Sequence, residues 1–410
     1  MPISREHKPR EHSGEPGGAQ VHGHGHGHGH GHGGAERAVH ALLLPPGPAL
    51  FAAVERALSG DGPAVLPLSP DLPRPALTAA LASLRPTHVV TPEGVRREPD
   101  GAPTGAAVII ATSGSTGVPK GVELTAEALT ASARASLERV GAARGERWLC
   151  CLPPSHISGM QVLVRSLLSA SDPVIHPRFT PEDVAGSGAE HVSLVPTQLR
   201  RLLDLGADVS AFRTILLGGA AAPPGLLAEA RGRGAHVVTT YGMSETSGGC
   251  VYDGAALDNV DLKIGADGRI RISGPVLFSG YRLREARDAF EGDWFVTSDL
   301  GSIDAGRLAI LGRADDVINT GGQKVVAGSV ARVLAGHPGV RDVAVVGRPD
   351  PEWGEVVVAV VVGTATLAEL REYAKERLPA YAAPRMVQTV QEIPMLPNGK
   401  PDMVALRNQK

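Results

Sequence analysis

Three observations predict a two-lobed α/β fold for this chain. Short apolar runs alternate with helically spaced segments from about residue 38 to residue 313. After residue 256 the runs shorten and glycine punctuates them, and beyond Gly312 the pattern becomes a compact α+β unit. The expectation is a large N-terminal lobe of layered α/β subdomains with largely parallel sheets and a β-rich subdomain, followed by a small mobile α+β C-terminal domain. Boundaries are expected at 1–35, 36–313 and 314–410, the last near Arg313-Ala314-Asp315-Asp316.

Residues 1–35 are polar and rich in Gly, Pro and His, with almost nothing to bury, so disorder is expected there. Within them His22, His24, His26, His28, His30 and His32 alternate with glycine, and such imidazoles would take nickel, zinc or copper. An affinity tag, a natural metal-binding tail and an idle low-complexity tract all fit that repeat. Strands are expected at 64–68, 88–90, 108–110, 148–152, 174–175, 191–195, 214–217 and 236–239, where apolar, often β-branched residues run together. Helices are expected between them at 51–58, 75–84, 125–139, 160–169, 196–205 and 224–232, from apolar residues recurring at helical spacing. The β-rich part has strands at 260–264, 269–272 and 308–311. The C-terminal unit reads as helix 328–336, strands 342–347 and 356–362, helix 366–378 and a strand near 385–390.

Composition narrows the function. A chain of 410 residues, 42% hydrophobic, can build more than one substantial core. A formal net charge of −3 gives no general electrostatic case for nucleic acid or an anionic membrane. Cys150, Cys151 and Cys250 are too few and too poorly spaced for a disulfide framework or zinc site. They read as small apolar residues in a reducing cytoplasm. No apolar run reaches the length of a membrane span, and no signal-peptide core follows the charged N-terminus. A homodimer is compatible with the sequence.

Several segments carry chemistry. Thr112-Ser113-Gly114-Ser115-Thr116-Gly117-Val118-Pro119-Lys120-Gly121 follows the apolar run 106–111. Its small residues leave N–H and hydroxyl donors free to wrap a polyphosphate, and Lys120 adds a positive charge. It is not a Walker A loop, because GxxxxGK[ST] is absent. Tyr241-Gly242-Met243-Ser244-Glu245-Thr246 is expected as a loop after strand 236–239, at the strand end where α/β proteins place ligands. It offers an aromatic face, a carboxylate suited to Mg2+ and hydroxyls for a phosphate. Gly218-Gly219-Ala220 is a small-residue turn after strand 214–217. Read alone, Ser298-Asp299-Leu300-Gly301 is a cap or surface loop, and the lysine of Pro397-Asn398-Gly399-Lys400 is a solvated charge on a turn.

In that order and spacing, the segments resemble the motifs of the adenylate-forming superfamily, which holds acyl-CoA synthetases, luciferases and peptide-synthetase adenylation domains. The resemblance covers roughly residues 106 to 402. It implies ATP, Mg2+ and CoA as cofactors and a small carboxylic acid as substrate, with residues 36–313 as the AMP-binding domain. It also implies roles: the loop holding ATP phosphates, Gly218, Gly219 and Ala220 lining the adenine pocket, and Tyr241 packing on adenine. Glu245 would hold Mg2+, Thr246 would touch the α-phosphate, and Asp299 and Arg313 would bind ribose. Asp315 would be the hinge, Gly321 and Gly322 would border the thiol tunnel, and Lys400 would stabilise charge as the acyl-adenylate forms. The acidic residues usual in the helix after Gly321-Gly322 are replaced by Gln323, Ser329 and Ala331.

The acid is read from Pro153-Pro154-Ser155-His156-Ile157-Ser158-Gly159 and the following segment to Arg165-Ser166. This stretch resembles that of the 2-succinylbenzoate–CoA ligases of menaquinone synthesis, which are also short. The resemblance implies His156, Ser158, Gly159, Arg165 and Gly242 around the acid, with His156 also acting in catalysis. Arg165 could anchor the carboxylate that does not react. Another acyl- or aryl-acid CoA ligase, an amino-acid adenylation module, and a metal-handling protein with a degenerate catalytic lobe are the alternatives.

Overall fold

A computed structural model describes residues 36–112, 119–284, 289–395 and 401–408. Four sheets organise them. In the first, seven strands run in the order Gly280–Tyr281, Lys120–Leu124, Val108–Thr112, Ala64–Pro67, Val39–Leu42, His88–Thr91 and Gly94–Arg97. Its centre is parallel, whereas Val108–Thr112 and Lys120–Leu124 form an antiparallel pair with Thr112 opposite Lys120. The glycine- and serine-rich loop therefore joins two adjacent strands. Its Ser113, Gly114, Ser115, Thr116 and Gly117 lie outside the described residues.

The second sheet runs Ala255–Ala256, Gly248–Tyr252, Val237–Met243, Thr214–Leu217, His191–Leu194, Trp148–Cys150 and Val174–Ile175. Helices Ala126–Val140 and Ile157–Ser169 are flanked by the first sheet's Val108 and Val122 and the second sheet's Trp148, Cys150, Leu216 and Val238 in one hydrophobic cluster. The opposite face of the second sheet has its own core, built from Leu149, Val192, Leu194, Ile215 and the helices Pro196–Leu205 and Pro224–Gly232. Thr125 caps the helix Ala126–Val140 by accepting the Ala128 N–H.

Strands Asp261–Ile264, Arg269–Ser273, Phe290–Glu291, Trp294–Asp304 and Arg307–Arg313 form the antiparallel third sheet. The fourth contains Gln323–Val326, Val317–Thr320, Gly354–Gly363, Val340–Asp350 and Met386–Thr389. Its core pairs strand valines with helices Ala327–Leu334 and Leu367–Lys375.

Two expectations are corrected. The segment expected as a loop after strand 236–239 is strand as far as Met243, because Tyr241 and Met243 pair with Val251 and Gly248. Asp299 lies inside an eleven-residue strand rather than on a cap or surface loop, paired across to Arg313. Gly321 and Gly322, at φ 55° and 77°, form the two-residue turn between strands whose ends pair Thr320 with Gln323.

Candidate active site

The site is built outward from the antiparallel pair Val237–Met243 and Gly248–Tyr252. A Cβ on Gly242 would stand 2.0 Å from the Gly248 carbonyl oxygen, so only glycine lets these strands pair through the register shift after Tyr241. The single helical turn Ser244–Thr246 joins them. Thr246 is fully buried; its hydroxyl accepts from the Met243 N–H at 2.9 Å and donates to the Gly248 carbonyl at 2.7 Å. This corrects the expected phosphate contact: the Thr246 hydroxyl is committed to its own turn, while the partly exposed Ser244 carries the hydroxyl next to Glu245. Ser247 takes the left-handed conformation at φ 51°, which is costly for a residue with a Cβ. Its carbonyl is pinned by Gln161 Nε2 at 2.7 Å and Ser132 Oγ at 3.0 Å, one donor from each helix beneath.

On one side of this turn the Tyr241 hydroxyl donates to Asp299 Oδ2 at 2.8 Å. Burial, then the Asp299 carboxylate, pushes the Tyr241 phenol well above its ordinary pKa, so it stays a donor. Arg313 lies 3.5 Å from Asp299 Oδ1 and 3.1 Å from Asp315 Oδ2, and so bridges the two carboxylates. Gly218 abuts Thr240, where a Cβ would meet Oγ1 at 2.3 Å, and Gly219 turns at φ 82° beside Val195. With the half-buried Ala220, these residues follow the strand next to Tyr241.

On the other side Glu245 Oε1 accepts the Tyr281 hydroxyl at 3.0 Å, and Lys120 Nζ lies 5.5 Å from the Tyr281 ring centroid. Tyr281 pairs with Val122 across the first sheet, and so stands diagonally beside Lys120. The neighbouring Arg282, buried and 3.0 Å from Glu123, fixes this short strand by donating to the Arg85 carbonyl at 2.9 Å. Tyr281, Gln161 and Ser132 were not expected from sequence; a two-residue strand and two helix positions carry no motif. Lys400 lies outside the described residues.

The residues expected around the acid occupy the start and middle of helix Ile157–Ser169. His156 immediately precedes the helix, and Ser158 is exposed in its first turn. Gly159 packs by its missing Cβ against the Leu152 and Pro153 carbonyls, at 2.5 and 2.4 Å, so close helix-to-backbone packing accounts for it. Arg165 lies one turn beyond Gln161, whose amide holds the Ser247 carbonyl. It is 5% exposed and donates to Ser193 Oγ at 2.9 Å, with Ser136 Oγ at 3.5 Å. The three cysteines are free and buried; burial raises the thiol pKa of Cys151 and of Cys250 to about 12, so they are inert.

Among the described residues no group of three or more His, Cys, Asp or Glu side chains is placed to hold a metal ion. A lone carboxylate such as Glu245 suits Mg2+, which keeps most of its waters and shares substrate phosphates. No helix among the described residues is long and apolar enough to cross a membrane.

The AMP-binding enzyme family profile matches residues 93–282, and that of the AMP-binding enzyme C-terminal domain matches residues 329–400. A probable 2-succinylbenzoate–CoA ligase of Mycobacterium tuberculosis is 41% identical over 392 residues, covering 90% of this chain and 97% of the relative. The 2-succinylbenzoate–CoA ligase of Bacillus subtilis is 35% identical over 334 residues, covering 74% and 68%. Among solved structures, the o-succinylbenzoate CoA synthetase of Bacillus subtilis in complex with the acyl-adenylate intermediate OSB-AMP superposes with a TM-score of 0.77 at 28% identity. That match covers 91% of this chain and 88% of the other. The chain thus belongs to the AMP-binding enzymes, and within them to the 2-succinylbenzoate–CoA ligases.

Proposed function

We propose that the chain ligates 2-succinylbenzoate to CoA at the expense of ATP, in menaquinone biosynthesis, with the roles that follow. The observation that carries the site assignment is the convergence at one strand end: Tyr241 reaches Asp299 while Glu245, four residues on, reaches Tyr281 beside Lys120. A nucleotide lying across that end would meet ribose partners on one side and phosphate partners on the other.

In the first step a substrate carboxylate oxygen attacks the α-phosphorus of ATP. The bond to the β-phosphate oxygen breaks, pyrophosphate leaves, and the acyl-adenylate remains. Asp299 and Arg313 orient the ribose, Gly218, Gly219, Ala220 and the Tyr241 ring bound the adenine, and Ser244 offers a donor to the α-phosphate. Thr112, Lys120 and the loop between them hold the outer phosphates. Lys400 adds positive charge where negative charge accumulates in the transition state. Bound Mg2+, held by Glu245, supplies further neutralisation of the phosphates. In the second step the CoA thiolate attacks the acyl carbonyl carbon and AMP leaves with the bonding electron pair. His156, Ser158 and Gly242 border the acid, and Arg165 pairs with its unreacting carboxylate. Domain boundaries at 35 and 313 suit this scheme, since the third sheet ends at Arg313 and the fourth begins at Val317. Gly321 and Gly322 then face the thiol. The three unpaired cysteines suit a cytoplasmic setting.

Pyrophosphate release with ATP, Mg2+ and CoA tests the reading, comparing 2-succinylbenzoate with benzoate, acetate and a medium-chain fatty acid. Strong preference for 2-succinylbenzoate, with its CoA thioester formed, is expected. Preference for another acid would leave the two-step chemistry standing and overturn the assignment of Arg165.

A further inference from the structure

Arg165 is a buried cation whose influences are burial, which lowers its pKa, and the opposing effects of Tyr252 and Cys150; no carboxylate is among them. Besides Ser193, Ser136 and the Tyr252 hydroxyl, it packs on an indole: its guanidinium carbon lies 4.3 Å from the Trp148 ring centroid. The same indole stacks on His191, with centroids 4.6 Å apart and planes at 21°. His191 Nε2 lies 2.9 Å from Glu146 Oε2, and Glu146 also accepts the Ala143 N–H at 2.7 Å and pairs with the Arg213 guanidinium. An ionised carboxylate only accepts, so His191 donates from Nε2 and keeps Nδ1 as a lone pair.

The sheet dictates this series. Trp148 and His191 are directly paired on neighbouring parallel strands, and Ser193 lies two residues beyond His191 on the same face. Three buried atoms along it have no partner: Arg165 Nε, Trp148 Nε1 and His191 Nδ1. Each such atom costs about 1–3 kcal/mol, and apolar residues of similar volume would avoid that cost. A layer built for stability alone does not retain them.

We propose that Trp148 and His191 are positioning residues that hold the Arg165 guanidinium in one orientation for the unreacting carboxylate of the substrate. This rests on the reading of Arg165 as the acid anchor. Ser193 fixes one end of the guanidinium, Trp148 fixes its plane, His191 holds Trp148, and Glu146 holds His191. A free arginine side chain loses considerable rotamer entropy on binding; this scaffold has already removed that freedom, so less affinity is spent on ordering.

The test is the ratio of KM for the mono-acid analogue lacking the ring carboxylate to KM for 2-succinylbenzoate, with KM for ATP measured alongside. Arg165→Lys should lower the ratio by about tenfold or more, and Trp148→Leu and His191→Ala by about threefold to tenfold, with ATP KM unchanged. Trp148→Phe keeps an aromatic face and should restore much of the ratio. If Arg165→Lys lowers the ratio but Trp148→Leu and His191→Ala do not, the positioning role is wrong and the anchor stands. If Arg165→Lys leaves the ratio unchanged, the anchor itself is wrong and the positioning role goes with it. Should Trp148→Leu fail to fold, Glu146→Gln at the outer end of the series decides, because it should lower the ratio in the same direction and a null result there refutes the proposal.

Discussion

Ser244 and Thr246 carry the same functional group two residues apart, yet their surroundings give them different tasks. Thr246 is enclosed and bonded at both ends of its turn, whereas Ser244 is partly open beside Glu245. Thr246→Val keeps the shape but strands the partly buried Met243 N–H, and should cost about 1–3 kcal/mol of stability, seen as a fall in Tm of several degrees. Ser244→Ala should leave Tm in place and slow adenylation by about tenfold. Equal Tm losses in both variants would overturn this division. The sequence singles out Tyr241, Glu245, Asp299 and Arg313 by their place in ordered strings, and the structure sets Tyr241 and Arg313 against Asp299. Tyr281 was not legible there, because its contact with Glu245 joins positions 36 apart through a two-residue strand. Nor was the burial of Thr246, which sits in the tight turn between two strands that approach closely at Gly242.

At the scale of elements, apolar runs fixed most strands of the second sheet, while Lys120–Leu124 and Trp294–Asp304 escaped because polar and charged residues interrupt them. Those two are the strands that deliver Lys120 and Asp299, so the elements hardest to read carry the site. His191 illustrates the energetic side of such placement. Burial holds its pKa below the ordinary 6.5, against an opposing pull from Glu146, and His40 is lowered likewise by burial and by His88. The unfolded chain therefore takes up these protons first as pH falls. Stability contributed by neutral His191 is fully present above pH 6.5 and is lost as pH drops from there through the lowered folded value. Wild-type Tm should decline from neutral pH to about pH 5, and His191→Gln should flatten part of that decline, His40 retaining the rest. A variant whose Tm falls as steeply as wild type would remove His191 as a source of the pH dependence.

At the scale of the molecule, two chemical steps need opposite surroundings at one carbonyl. Adenylation calls for positive charge against the departing pyrophosphate, while thioester formation calls for an open path for the thiol. Residues that both follow Arg313 in the chain serve these needs in the proposed scheme: Lys400 in the first step, and the Gly321-Gly322 turn in the second. The turn's shape is itself demanding, since a Cβ on Gly321 would press within 2.7 Å of the Trp353 ring and its φ of 55° disfavours any other residue. If one unit alternates between the two tasks, the steps should be separable by mutation. Lys400→Ala should slow formation of the acyl-adenylate by about 100-fold or more. The same variant, given preformed acyl-adenylate and CoA, should make thioester at close to the wild-type rate. Rapid-quench measurement of each half-reaction distinguishes the cases, and equal slowing of both steps would mean that Lys400 acts throughout and that the steps share one arrangement of the chain.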